Sequence, residues 1–308
     1  MSQWQPDGRS AGSMALDLRA LPVTRLRVSL VAARAWEPPA HLGDMLRRAL
    51  VSGVYAAVPS RHHADLLGGW FDDRTGAQRA RPYALQVERP ESVSPDIALV
   101  MGLTLVGVVP EPAALIAGIR QMATKGLGPD RVAHQVQAID AEGAVSGPVD
   151  IDTCHGFPPP ARLSDLLRRP PGPVRGVDVC FQTPFTPGPW RHGRPESLAL
   201  GPTLLFDACI GRLRGIQRSL GLERQTDWRP PRAWEQACDL RWTEASVQSR
   251  RKTKPDRLGG VEGRVALSGE LHGLGPLLAM AEVLQFGRAT SRGHGVVSLE
   301  WRDEGGVA

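Results

Sequence analysis

Between Phe286 and Glu300 the chain reads FGRATSRGHGVVSLE, and its residue types point to one kind of chemistry. Gly287, Gly293 and Gly295 allow backbone to approach a ligand closely and to adopt positive φ. Arg288 and Arg292 bring positive charge, Thr290 and Ser291 bring hydroxyls, and His294 sits inside the same loop. Backbone N–H groups beside arginines make a cradle for phosphate oxygens. The competing reading is a plain glycine turn between a helix and a strand. The loop does not fit a dinucleotide fingerprint, in which GxGxxG follows a strand and opens a helix. A second feature is SRRKTKPDRLGG, Ser249–Gly260, where Arg250, Arg251, Lys252 and Lys254 cluster. A basic tip between two strands suits a nucleic-acid backbone, and is otherwise a solvated loop.

The bulk chemistry agrees with a polyanionic partner without requiring one. The 308 residues carry a formal net charge of +5, a mild basic excess. The basic residues are nearly all arginine, the lysines being Lys125, Lys252 and Lys254, so a GC-rich coding bias explains part of the pattern. Cys154, Cys180, Cys209 and Cys238 are far apart with no CxxC pair. Neither a zinc site nor a disulfide framework is signalled, and free thiols fit a reducing compartment. With no apolar leader and no membrane-length apolar run, the chain reads as soluble and cytoplasmic. G-x-S-x-G, HExxH and GxxxxGK[ST] are absent, which argues against serine hydrolases, zincins and P-loop enzymes. Aromatic residues are only 5%, too few for a platform stacking many single-stranded bases. Recognition of an RNA duplex by shape and phosphate fits better.

The elements that must position these residues follow from periodicity. Thr24–Ala33 alternates apolar and polar residues and reads as a strand. His41–Val58 carries Leu42, Met45, Leu46, Leu50, Val54 and Val58 on one helical stripe. Strands are expected at Arg81–Glu88 and Ile97–Gly107, a helix at Pro112–Lys125 and a strand at Arg131–Ile139. The order β-α-β-β-α-β is the ferredoxin-like unit. It repeats with a strand at Gly176–Thr183, a helix at Leu198–Leu220, strands at Leu240–Val247 and Gly263–Leu271, a helix at Gly275–Leu284 and a strand at Val296–Trp301. The expected organisation is a flexible tail at 1–20, a ferredoxin-like domain at 21–140, a Pro/Gly-rich linker at 141–173 and a second ferredoxin-like domain at 174–308. The fold class is α+β, with tandem domains.

In this setting the C-terminal stretch LAMAEVLQFGRATSRGHGVVSLEW resembles the signature that ends the CRISPR repeat-processing endoribonucleases, the Cas-six type of the RAMP superfamily. There a helix runs into G-x-x-T-x-x-G-x-G and a strand; Gly287, Thr290, Gly293 and Gly295 match. HLGDMLRRAL is similar to the family's first-helix pattern, VCFQTPF to its T-P element and LGGVEGRVALSGEL to its G-G-x-x-G strand entry. RPYALQVE, LTLVG and KGLG resemble the blocks between, so the likeness spans about residues 24–302.

The resemblance implies a protein that binds CRISPR repeat RNA, often as a hairpin, and cuts it by attack of the upstream 2′-hydroxyl. The products are a 2′,3′-cyclic phosphate and a 5′-hydroxyl, with neither metal nor other cofactor. It implies retention of the mature RNA by its 3′ handle and partnership with other Cas proteins of a surveillance complex. The chemistry asks for a base, an acid and cations at the phosphorane. In many members a histidine just after the first helix transfers the proton, which makes His63 and His62 the first candidates, with Tyr55 on the helix. Their alternatives are solvent-facing histidines and a packing tyrosine. Other branches rely on arginines, and Arg25, Arg27 and Arg47 are candidates of that kind. His41, at the start of the first helix, is a further candidate, or else merely caps that helix. The alternative function is a non-cutting RAMP subunit that clamps the guide RNA within an effector complex.

Overall fold

The computed structural model describes residues 18–58, 81–109, 111–142, 147–148, 157–168, 174–188, 190, 194–222, 232–247, 256–271 and 274–303. The first half contains β1 (Pro22–Ala32), α1 (Leu42–Ala57), β2 (Tyr83–Val87), β3 (Leu99–Val106), α2 (Pro112–Lys125) and β4 (His134–Glu142), with short strands β5 (Gly147–Pro148) and β6 (Ala161–Arg162). The second half contains β7 (Val174–Phe185), α3 (Pro202–Ser219), β8 (Arg232–Val247), β9 (Asp256–Glu270), α4 (Gly275–Leu284) and β10 (Val297–Asp303). The sheet orders are β2-β3-β1-β4-β5, with β6 also on β1, and β10-β7-β9-β8. Every pairing within them is antiparallel. In each half the first strand lies between the third and the fourth and the second is outermost, the ferredoxin-like arrangement expected from the element order.

Burial follows the predicted periods. On β1, Leu26, Val28 and Leu30 are buried, while Arg27 is exposed. They pack with Leu46, Leu50 and Val54 of α1 and Ile116, Ile119 and Met122 of α2 in the first core. The two helices touch where Gly53 faces the Gly118 carbonyl so closely that a Cβ would overlap it. The second core joins Val177, Val179 and Phe181 of β7 to Leu205, Ile210, Leu213 and Ile216 of α3 and Leu277 and Leu278 of α4.

That second core does not stop at the second half. Leu18, Leu21, Val23, Val106 and Leu163 belong to it. Leu18 lies in a short 3₁₀ turn, Leu18–Ala20, in the stretch expected as a tail. Leu163 begins a one-turn helix, Leu163–Leu166, just after β6, inside the segment expected as a linker. Leu18 and Leu163 are thereby held in the second core. The fourth strand starts later than expected because Arg131, at φ 47, turns the chain after α2. Among the described residues no helix is long and apolar enough to cross a membrane.

Candidate functional site

The site is built where the two halves meet. α4 ends at Leu284, and the chain turns through Gln285, at φ 53, into the glycine-rich loop. Thr290–Arg292 forms a single 3₁₀ turn. The loop closes on itself through Gly295, at φ +74, where a Cβ would overlap the Phe286 carbonyl. Only glycine satisfies both conditions.

Most of the loop's amides are already used. Arg288 N–H donates to Thr186 O at 3.0 Å, Gly295 N–H to Pro184 O at 3.1 Å, and Arg292 and His294 N–H to Ala289 O at 2.7 and 3.3 Å. Gly293 N–H donates to Thr290 O at 3.2 Å, and Val296 N–H to the Thr183 hydroxyl at 3.0 Å. These donors hold the loop's shape and tie it to Thr183, Pro184 and Thr186, and so are not spare for a phosphate. Thr290 is buried, Ser291 and Arg288 are half-buried, and Gly287 packs against Phe185.

The loop is seated on the first half. A Cβ on Gly43, in the first turn of α1, would overlap the Arg292 carbonyl. The Asp44 carboxylate, 1% exposed, forms ion pairs with Arg292, whose Nε lies 3.3 Å away, and with Arg48, whose Nε lies 2.8 Å away. Gln285 Nε2 donates to Leu85 O of β2 at 3.1 Å. Arg212 of α3, 5% exposed, donates to Arg81 O at 2.7 Å, Tyr83 O at 3.1 Å and Leu284 O at 3.3 Å. Burial pushes its pKa down to about 10, so the guanidinium remains charged at neutral pH.

Beside this joint opens a cleft of about 390 Å³, lined by His41, Gly43, Gln86, Arg89, Gln182, Thr183, Glu244, Glu262, Arg292 and His294 among others. His41 is half-buried and makes no side-chain cap bond to α1, so its imidazole is not spent on the helix end. His294 is different: burial, then the neighbouring Arg292 charge, push its pKa down to about 4, against a smaller opposing effect of Asp44. It is neutral at pH 7 and offers hydrogen bonds rather than charge. Arg241 pairs with Glu262 at 3.1 Å and Arg257 with Glu244 at 3.7 Å, which offsets the two carboxylates at the cleft. A polar cleft with an imidazole in reach and arginines at its walls can hold a polyanion and move a proton.

The other sequence candidates fall elsewhere. His62, His63, Arg250, Arg251, Lys252 and Lys254 lie outside the described residues; the strands flanking the basic segment pair up to Val247 and Asp256. Tyr55 packs against the first core, 13 residues past Leu42 on α1, hence about 20 Å along the axis from the cleft end. Arg25 pairs with Glu142 at 3.0 Å and shares with exposed Arg27 the face of β1 turned away from the core. Arg47 is 7% exposed within α1. Gln182, Thr183, Arg89 and Glu262 were not singled out from the sequence; only the T-P element drew attention to Thr183. Among the described residues no group of three or more His, Cys, Asp or Glu side chains gathers as a metal site would.

The class this architecture defines is a tandem ferredoxin-like α+β protein with a glycine-rich joint between its halves. Among solved structures the likeness is to Cas6 proteins: a Thermus thermophilus Cas6 product complex at TM-score 0.54 and 15% identity, covering 91% of this chain and 99% of that one. A second Cas6 product complex follows at TM-score 0.51 and 16% identity, covering 90% and 99%. A histidine-to-alanine variant of a Cas6 stands at 0.50 and 15%, covering 91% and 99%. At these identities the likeness establishes the fold. No protein-family model and no curated protein matches the chain.

Proposed function

We propose that this protein is a CRISPR repeat-processing endoribonuclease of the Cas6 type, whose two ferredoxin-like units, at about 21–140 and 174–308, enclose the reacting RNA between them. The observation that carries the reading is the cleft itself. His41 from the start of α1 and Arg292 and His294 from the glycine-rich loop line one opening, although they stand some 250 residues apart. The solved relatives of this fold include Cas6 structures described as product complexes.

In this reading the scissile phosphate lies beside His41. The upstream 2′-hydroxyl loses its proton and attacks phosphorus in line. The bond to the 5′-oxygen breaks, leaving a 2′,3′-cyclic phosphate on one fragment and a 5′-hydroxyl on the other. His41 is the proton-transfer group, because its side chain makes no cap bond to α1 and lines the cleft. Its placement contributes through proximity as well as proton transfer. Neutral His294 and the Thr183–Gln182 edge contact sugar or base. The repeat hairpin spreads from the cleft over the second half, toward the basic segment that includes Arg250 and Lys254. The reaction uses no metal, and the protein keeps the 3′ handle and passes the guide to other Cas proteins.

The test is a cleavage assay with labelled repeat RNA in EDTA, using a 2′-deoxy substitution at the cut site as control. Cutting in EDTA that stops with the deoxy substrate is expected. His41→Ala should slow it roughly 10²- to 10⁴-fold, with affinity unchanged within about twofold. Full activity in His41→Ala but not in a His62→Ala/His63→Ala double variant returns the role to the histidines after α1. Tight binding without cutting in the unaltered protein makes it a guide-clamping subunit.

A further inference from the structure

The glycine-rich loop meets the first turn of α1 at Arg292. Arg292 presses its main-chain carbonyl onto Gly43 and directs its inner nitrogen, Nε, at Asp44 from 3.3 Å, with only 28% of its side chain exposed. Asp44 is 1% exposed and stands three residues after His41, in the same first turn of α1. A buried carboxylate is strongly unfavourable without a cation beside it. Arg48 supplies one cation but comes from the same helix, four residues on. Arg292 is the partner that crosses between the halves. On the other flank of the loop, Gln285 is tied to Leu85 O.

We propose that Asp44 and Arg292 are positioning residues whose ion pair holds His41 against the glycine-rich loop, so that Arg292 serves the cut through Asp44 rather than by gripping the RNA backbone. This rests on the reading of the cleft as the cutting site. Loss of the pair lets the turn bearing His41 drift from the loop. A misplacement of about 1 Å at a reacting group lowers rate on the order of 10²-fold, while affinity, spread over many contacts, changes little.

The experiment compares Asp44→Asn, Arg292→Ala, Arg292→Lys and the Asp44→Asn/Arg292→Ala double variant. Single-turnover cutting, affinity for the repeat RNA across a salt series, and hydrogen exchange of the RNA-free protein are measured. Each removal should slow cutting about 10- to 100-fold. Affinity and the slope of log affinity against log salt should stay as in the unaltered protein. The double variant should be no slower than the worse single one, as coupled residues require, and Arg292→Lys should recover part of the rate. In exchange, the Arg292, Gly293 and His294 amides should open at least about tenfold faster when the pair is lost.

Weakened binding in Arg292→Ala, with the salt slope reduced by about one and Asp44→Asn unaffected, makes Arg292 a phosphate ligand and overturns the proposal. Unchanged cutting in both single variants overturns it as well. If the unaltered protein binds but does not cut, the endonuclease reading fails. The exchange arm still decides whether the pair holds the loop, and unaltered amide protection would reject that too.

Discussion

Replacing Arg212 gives the sharpest check on how the two halves are joined. Its guanidinium serves three carbonyls at once, Arg81 O and Tyr83 O from the first half and Leu284 O from the end of α4. Hydrogen bonds from a charged donor contribute about 1.5–3 kcal/mol each, and a buried carbonyl left without a donor costs about 1–3 kcal/mol. Against this stands the several kcal/mol required to bury the charge. Arg212→Met loses all three bonds but relieves that burial, for a net destabilisation of about 2–4 kcal/mol. Arg212→Lys keeps a buried charge while a single ammonium cannot span three acceptors, so it should be the worse variant, at about 3–5 kcal/mol. The same burial that lowers the pKa of Arg212 would lower a lysine there further below its ordinary ~10.4. The folded lysine variant then binds fewer protons than the unfolded chain, so its stability must rise as pH is raised from neutral toward ~10. Urea unfolding at pH 7 and pH 9.5 measures this directly, and about 3 kcal/mol corresponds to a loss of roughly 5 °C in Tm for a chain of this length. A lysine variant within about 1 kcal/mol of the unaltered protein, with no gain at high pH, would refute the idea that a planar fork shared by three carbonyls ties the halves together.

Other outcomes follow from the same contacts. Gly43→Ala forces a methyl into the Arg292 carbonyl; it should lower stability by about 1–3 kcal/mol and slow cutting, and an unaffected variant would mean that the loop is free to retreat. Asp178, 2% exposed, is flanked by Arg264 and Arg302. Asp178→Ala should cost about 2–4 kcal/mol in urea unfolding, whereas a neutral effect would place that carboxylate in water. The pKa of both His134 and His294 lies below 6.5, lowered chiefly by burial. The unfolded chain therefore binds protons first, and their stabilising share, complete above pH 6.5, is lost as the pH falls, for His294 down to about 4. The fall in urea midpoint between pH 7 and pH 5 should be smaller in His294→Asn, and an identical fall would exclude its part.

The sequence made the fold legible wherever local chemistry and tertiary packing agree. α2 and α4 occupy the expected Pro112–Lys125 and Gly275–Leu284, because a proline in the first turn marks both, with an apolar stripe along α2 and a nearly continuous apolar run in α4. β8 runs from Arg232 rather than Leu240. Its first part lies at the sheet edge with Trp234, Ala237 and Asp239 exposed, and a bulge between Glu235 and Ala237 breaks the alternation. No period of two survives there for a sequence to display. The site was legible in part. The glycine pattern located the loop, and the element order placed two units side by side. That His41 lines the cleft beside the loop depends on which helix end the loop touches, a long-range fact with no local signature. The engagement of Arg292 by Asp44 is of the same kind: an arginine among glycines gives no local sign of a buried carboxylate opposite it.

The distance along the chain between His41 and the loop also governs when the protein becomes competent. A ribosome adding about 5–20 residues per second releases α1 early, while Arg292 and His294 emerge only after some 250 further residues. Until then the first turn of α1 has no loop against it, and Val23 and Val106 await the core that will cover them. A nascent or prematurely terminated chain thus holds the imidazole without its counterpart wall. The two walls of the cleft face one another only once synthesis has passed the glycine-rich loop.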